Sequence, residues 1–350
     1  MRNWSARVFR GEAGLLLAGL SGVNLVVWSL AFAAFSDRPS LLASALLAWM
    51  FGLRHAVDAD HIAAIDNVVR KLMQQGQKPY AVGLHFSLGH STVVIVAAAA
   101  LALTASFAQH ALDSSAFESF KTVGGAIGTS VSATFLLLIA AANLVILKGV
   151  WRAFRAARAG APVCEQSLDL LLSGRGFLAR LFRPAFAWVD SSWKMYPLGF
   201  LFGLGFDTAT EIGVLALSAS QATHGLTFTE TMLFPALFTA GMTLVDTADS
   251  SLMVGAYGWA FVKPLRKLWY NLTLTAASVA VALFIGGVEA LGLIAEKLGL
   301  EGAGWGFIGQ LNDNLGALGF VVIGLFALVW IGSMAIYRAR GYDNLSREAV

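Results

Sequence analysis

Arg54, His55, Asp58, Asp60 and His61 fall within eight consecutive residues, in the stretch Arg54-His55-Ala56-Val57-Asp58-Ala59-Asp60-His61-Ile62. Imidazole nitrogens and carboxylate oxygens presented together suit borderline divalent metals such as nickel, cobalt and zinc. On a straight helix His55, Asp58 and His61 occupy about a third of the circumference. Asp60 then falls on the opposite face, so it either plays a supporting part or sits on a distorted helix. The stretch lies in an apolar run from about Leu41 to Ile65, and ~20 residues suffice to cross a bilayer. Ionisable groups at membrane depth cost roughly 2.5–3.5 kcal/mol each on insertion scales, so they face a cavity or a partner. The competing reading is a buried ion-pair cluster that only packs helices.

Three further stretches carry polar groups inside apolar surroundings. His85-Phe86-Ser87-Leu88-Gly89-His90-Ser91-Thr92 offers His90 as another ligand, with His85 nearer the membrane surface. Asp207 and Glu211 are four apart and share a helix face. Two such carboxylates need a cation, a proton or an arginine, and Arg54 is the intramembrane arginine available. Met242, Thr243, Asp246, Asp249, Ser250 and Met253 form one stripe that suits the wall of a cation path. Asn24 lies in the first apolar segment, where an amide either bonds a neighbouring helix or faces the metal path. Glu289 is the one acidic residue in the otherwise apolar seventh segment. His110 and His224 fall in loops and read as solvated.

The elements that must position these groups are transmembrane helices. Of the 350 residues, 57% are hydrophobic and 13% charged, and the mean hydropathy is +0.69. Those values exclude an ordinary soluble domain and indicate an all-α polytopic membrane protein, read as a single domain over 1–350. Eight apolar segments occur, at roughly 13–35, 41–65, 82–105, 124–147, 195–219, 231–257, 271–295 and 315–337. The first is longer than the ~7–15 residue core of a signal peptide, so it reads as a retained span. With the N-terminus in the cytoplasm, the inner segments collect most of the Lys and Arg, and the outer ones hold Arg38, Lys121 and Lys297. That asymmetry places both termini on the cytoplasmic side. The loop at 148–194 is basic and, from Leu168 to Trp188, mixes arginines with Leu, Phe and Trp, as an interfacial helix on anionic lipid does.

Other classes find no support. The single Cys164 excludes an intrachain disulfide and a thiolate-rich site. There is no Walker-type phosphate loop and no H-E-x-x-H. Nothing points to a nucleic acid, an ATPase subunit or a resident cofactor.

The sequence also carries a weak internal repeat. Phe51-Gly52-Leu53 returns as Phe202-Gly203-Leu204, and Asp58-Ala59-Asp60-His61-Ile62 parallels Thr208-Ala209-Thr210-Glu211-Ile212. One segment later Gly89-His90-Ser91-Thr92 faces Gly241-Met242-Thr243-Leu244, so segments 2–3 match segments 5–6, and a repeat of segments 2–4 in 5–7 is expected. An offset of three reverses the orientation, as in inverted-repeat transporters whose sites lie near the midplane.

Taken in order, these stretches resemble the nickel/cobalt transporter family. Its hallmark, H-x4-D-H in the second span, is matched by His55, Asp60 and His61. Its further signatures resemble Phe86-Ser87-Leu88-Gly89-His90-Ser91-Thr92-Val93-Val94, Leu204-Gly205-Phe206-Asp207-Thr208-Ala209-Thr210-Glu211 and Gly241-Met242-Thr243-Leu244-Val245-Asp246-Thr247-Ala248-Asp249. The resemblance implies a permease of the cytoplasmic (inner) membrane that takes up Ni²⁺ or Co²⁺ and is not an enzyme. It implies that His55, Asp58, Asp60 and His61 are critical, with His90 next, and that Asn24, Arg54, Asp207, Glu211, Asp246 and Asp249 line the path or support it. Asn24 stands where the family's polar position is associated with metal choice, and its not being histidine favours nickel. A divalent-metal exporter would use similar ligands; a membrane-bound metalloenzyme would need more than the six histidines present.

Overall fold

The computed structural model describes residues 11–103, 115–158, 189–205, 208–260 and 264–340. Among them every regular element is a helix. In chain order these are α1 (Glu12–Phe35), α2 (Pro39–His55), α3 (Ala59–Gln74), α4 (Val82–Leu103), α5 (Ser115–Arg158), a short 3₁₀ turn (Ser192–Lys194), α6 (Met195–Gly203), α7 (Ala209–Thr223), α8 (Phe228–Thr231), α9 (Leu233–Ala260), α10 (Pro264–Leu298), α11 (Ala303–Asp313) and α12 (Leu315–Ala339). Six helical stretches are long and apolar enough to cross a membrane, and a seventh crossing arises if the bent pair α2–α3 counts as one.

Two expectations are corrected. The run at 41–65 is not one straight helix: α2 ends at His55, α3 begins at Ala59, and the two meet at 51°. The run at 195–219 is likewise divided into α6 and α7. Both interruptions fall at the polar motifs, because irregular backbone at membrane depth is tolerated only where it is buried in protein or lines a cavity. The helix α5 continues to Arg158, past the expected loop start at 148; residues 159–188, with Arg175, Arg180 and Arg183, lie outside the described residues. Asp207 and His110 also lie outside them.

The helices sort by the surface they can afford to show. α1 and α12 expose Leu15, Leu25 and Val26, and Phe320, Val321 and Leu328, respectively. Such outward apolar faces belong against lipid. α3 behaves oppositely: it carries Asp66, Asn67, Arg70 and Lys71, yet nearly all of it is buried. Burying these groups is costly without partners, and Asp66 finds them in Arg70, Ser278 and Tyr257.

Close backbone crossings lock the inner helices. A Cβ at Gly89 of α4 would stand 1.9 Å from the Tyr196 carbonyl oxygen of α6, and one at Gly241 of α9 would stand 2.9 Å from the Trp49 carbonyl oxygen of α2. Small residues at such crossings let helix backbones touch, which is how membrane helices gain packing where burial from water adds little.

Candidate metal centre

At the break after α2 the chain turns tightly, with Val57 N–H donating to the Arg54 carbonyl and Asp58 N–H to the His55 carbonyl. Asp58 is the N-cap residue of α3, with φ −64° and ψ 145°. Its side chain makes no capping bond and serves the site instead. One oxygen lies 2.9 Å from His55 Nδ1, and the other lies 3.6 Å from a half-exposed Arg54 guanidinium nitrogen. The N-terminus of α12 roofs the break. A Cβ at Gly319 would fall 1.6 Å from the Val57 carbonyl oxygen, so only glycine permits this approach.

Three imidazoles converge beneath it. The ring centroids of His55 and His61 lie 4.7 Å apart, those of His55 and His90 4.7 Å, and those of His61 and His90 4.9 Å. One nitrogen from each ring can be chosen so that all three lie within 4.8 Å of one another. His55 Nε2 and His90 Nε2 are 2.9 Å apart, and Glu211 Oε1 lies 2.7 Å from the same His90 atom and 4.0 Å from His55 Nε2. Neighbouring ligands at ~2.1 Å from a common ion are ~3 Å apart, a separation close to that of the His55–His90 and His90–Glu211 pairs. His61 Nε2 and His90 Nδ1 are buried and have no hydrogen-bond partner among the described residues.

Carboxylates aim the rings. An oxygen of Asp58 lies 2.9 Å from His55 Nδ1, and His55 Nε2 is the ring atom that faces the cluster. Asp246 lies 3.3 Å from His61 Nδ1 and also accepts from the Ser87 hydroxyl. Carboxylate partners of this kind fix the tautomer of a ligating imidazole and raise its basicity. Glu211 is held by Thr208, the N-cap of α7, whose hydroxyl donates to Oε2 at 2.8 Å. Thr210 places its hydroxyl oxygen 3.1 Å from His55 Nδ1.

The expected residues therefore separate. His55, Asp58, His61, His90, Glu211 and Asp246 come together. Asp60 is half-buried on the first turn of α3, within electrostatic reach of all three imidazoles. Asp249 stands one turn beyond Asp246 on α9. Arg54 pairs with Asp58 and not with Glu211, because Glu211 is turned to His90 and Thr208. Asn24 donates to the carbonyls of Leu20 and Ala240 and accepts from the Trp49 indole, which spends its amide on helix contacts. His85 bonds the Ala81 carbonyl one turn back. The supporting hydroxyls of Ser87, Thr208 and Thr210 were not singled out from the sequence, although each lies inside a motif.

A site with three imidazoles and a carboxylate, buried and without a cysteine, can hold a divalent transition metal ahead of magnesium, which prefers oxygen ligands and its own waters. The comparisons with known proteins agree with that chemistry. The family model described as high-affinity nickel-transport protein matches residues 41–336. The chain is 59% identical over 325 residues to the hydrogenase nickel incorporation protein HupN of Bradyrhizobium diazoefficiens, covering 93% of this chain and 84% of that one. It is 54% identical over 335 residues to a high-affinity nickel transport protein of Cupriavidus necator, covering 96% and 94%. It is 39% identical over 337 residues to the cobalt transport protein NhlF of Rhodococcus rhodochrous, covering 94% of each. No solved structure matches the chain.

Proposed function

The chain belongs to the high-affinity nickel-transport protein family, and from that premise we propose that it takes up Ni²⁺ across the cytoplasmic membrane through the site of His55, His61, His90 and Glu211. It is a multi-pass membrane transporter and not an enzyme. The observation that carries the site is the meeting of three buried imidazoles, two from the α2–α3 break and one from α4, on the carboxylate of α7.

The reading assigns each group a task. His55, His61 and His90 strip water from the ion and supply neutral nitrogen ligands. Glu211 supplies negative charge, as Asp60 does from the first turn of α3. Asp58 and Asp246 orient two of the rings. The two interrupted helices aid this electrostatically, since the C-terminal carbonyls of a half-helix favour a cation and the N-terminal amides favour carboxylates. Nitrogen ligands discriminate against Mg²⁺; raw affinity does not discriminate against Cu²⁺, so copper is excluded by geometry and supply.

The architecture that fits this is an inverted repeat of three plus three helices, α2–α5 against α6–α10. Counting α6–α7 as a second broken crossing, like α2–α3, restores eight crossings with both termini in the cytoplasm. In support, Asp58 and Thr208 are both N-caps, His61 and Glu211 both sit three residues on, and Gly89 and Gly241 make matching close crossings. Rocking of the two halves about the shared site would expose it to each side in turn.

The test is uptake of ⁶³Ni²⁺ at submicromolar concentration by cells producing the wild type or His55→Ala, with excess Co²⁺ or Mg²⁺ as competitor. Accumulation that needs His55 and resists Mg²⁺ is the expected result, and Co²⁺ competition ranks the two metals. Accumulation below that of empty cells would instead mark an exporter.

A further inference from the structure

A second polar assembly lies deeper in the bundle, on the side of α3 and α9 that runs away from the histidines. Asp66 is fully buried and accepts three bonds: from Arg70 Nη2 at 2.6 Å, from Ser278 Oγ at 2.6 Å and from the Tyr257 hydroxyl. Arg70 is 1% exposed and lies over the Tyr257 ring, 5.9 Å from its centroid. Only Nη2 of its guanidinium is bonded, to Asp66 and at 3.4 Å to Asn67; Nε and Nη1 have no partner among the described residues.

A purely structural ion pair would use a guanidinium more fully. Buried Arg–carboxylate pairs are normally bidentate, with their remaining donors satisfied, because unpaired buried donors are costly. Arg70 is instead half-seated. Asp249 on α9 is equally unfinished: its Oδ2 is a buried atom without a partner among the described residues. Asp249 lies within electrostatic reach of both Asp246 and Asp66.

On α9, Asp246, Asp249 and Tyr257 share one face. Asp246 touches His61, Asp249 follows one turn along, and Tyr257 touches Asp66. From Asp246 to Tyr257 the helix rises roughly 16 Å, about half the ~30 Å hydrocarbon core. That side of α9 thus runs from the metal centre to the membrane face that receives the ends of α3 and α9.

Resting on the reading of this chain as a Ni²⁺ transporter, we propose that Asp66 and Asp249 form a second cation station on the exit side of the histidine site, and that Arg70 is a tethered counter-ion that keeps it closed. In the present conformation the guanidinium occupies the place a passing ion would take. An ion leaving His61 by way of Asp246 and Asp249 displaces Arg70 from Asp66 by charge repulsion and by competition for the same oxygen. When the ion has left, Arg70 returns and prevents back-flow. Because the plug is part of the protein, the station never stands empty of positive charge, and the metal is not trapped in it.

The test is the stoichiometry of Ni²⁺ bound by the purified full-length protein in detergent, measured by equilibrium dialysis with ⁶³Ni²⁺. The wild type should bind one ion per chain. Arg70→Gln should bind two, Arg70→Lys one, and the double variant Arg70→Gln/Asp66→Asn one again. In His55→Ala/Arg70→Gln the second site should remain while the first is lost, so failure of the histidine site and failure of this proposal are read separately. A folded Arg70→Gln protein that binds one ion and transports at the wild-type rate would overturn the proposal. If Arg70→Gln does not give monodisperse protein, Asp249→Asn decides, since the buried Oδ2 of Asp249 has no hydrogen bond to lose. Uptake at least tenfold slower, with the affinity of the first site within threefold of wild type, is expected; uptake within twofold of wild type would overturn the proposal.

Discussion

His55 and His90 bring their Nε2 atoms to 2.9 Å although they come from different helices, and His90 offers the same atom to Glu211 at 2.7 Å. A neutral imidazole Nε2 can either donate or accept, not both. His55 Nε2, His90 Nε2 and Glu211 Oε1 thus crowd one point, and a shared cation would serve all three at once.

Replacement of any one imidazole should therefore be severe. His61→Ala and His90→Ala should each weaken Ni²⁺ binding by more than the 10–100-fold typical of losing an outer-shell partner. Calorimetry on the purified protein and ⁶³Ni²⁺ uptake check this. Affinity within threefold of wild type for His90→Ala would remove it from the ligand set.

The orienting carboxylates should be graded below the ligands. Asp58→Asn and Asp246→Asn should lower Ni²⁺ affinity by about 10–100-fold, because the rings keep their places and lose only their aim. Asp246→Asn also alters the acceptor of the Ser87 hydroxyl, so Ser87→Ala should move in the same direction by a smaller factor. Binding isotherms for the three variants give the order.

The roof over the helix break makes a prediction about folding. Gly319→Ala sets a methyl 1.6 Å from the Val57 carbonyl oxygen, a clash with backbone that cannot rotate away. Its protein should be recovered poorly and melt well below wild type. Gly316→Ala meets the ends of the Arg54 and Asp58 side chains, which can move, so it should fold and lose mainly metal affinity. Size-exclusion profiles and thermal melts in detergent separate the two.

Asn24 should behave as a helix contact. Asn24→Leu removes the acceptor of the Trp49 indole and a donor to the Ala240 carbonyl. Interhelical bonds of this type contribute about 0.6 kcal/mol on average and up to about 1.7 kcal/mol. Lower thermal stability with an unaltered ratio of Ni²⁺ to Co²⁺ uptake is expected. A changed ratio would show that this contact transmits metal choice to the site.

Much of the site was legible because membranes make polar residues conspicuous. His55, Asp58 and His61 stand out of an apolar run that has no solvation reason to carry them, and the same holds for His90, Glu211 and Asp246. The helix break was not legible: Ala56-Val57-Asp58 contains no proline or glycine. Asp58 is of a type favoured at N-caps, and that was the available signal, but its side chain is committed to His55 and Arg54 instead of a cap. The straight-helix reading put Asp60 on the far side for the same reason. For Arg54 and Asn24 the sequence left two roles open, because charge and depth do not reveal which neighbour lies nearby; the structure pairs Arg54 with Asp58 and bonds Asn24 to Ala240 and Trp49.

By itself the sequence determined the apolar surroundings, the helical class and the types of side chain available to a metal, since hydropathy and residue type are local properties that survive without neighbours. The tertiary structure decided which nitrogen faces which and that Glu211 closes the histidine cluster. Those relations join residues up to 156 positions apart, as His55 and Glu211 show, and depend on glycine crossings and a helix break that fix ångström-scale distances. Contact at that range is set by packing of whole helices, and no short stretch of chain carries it.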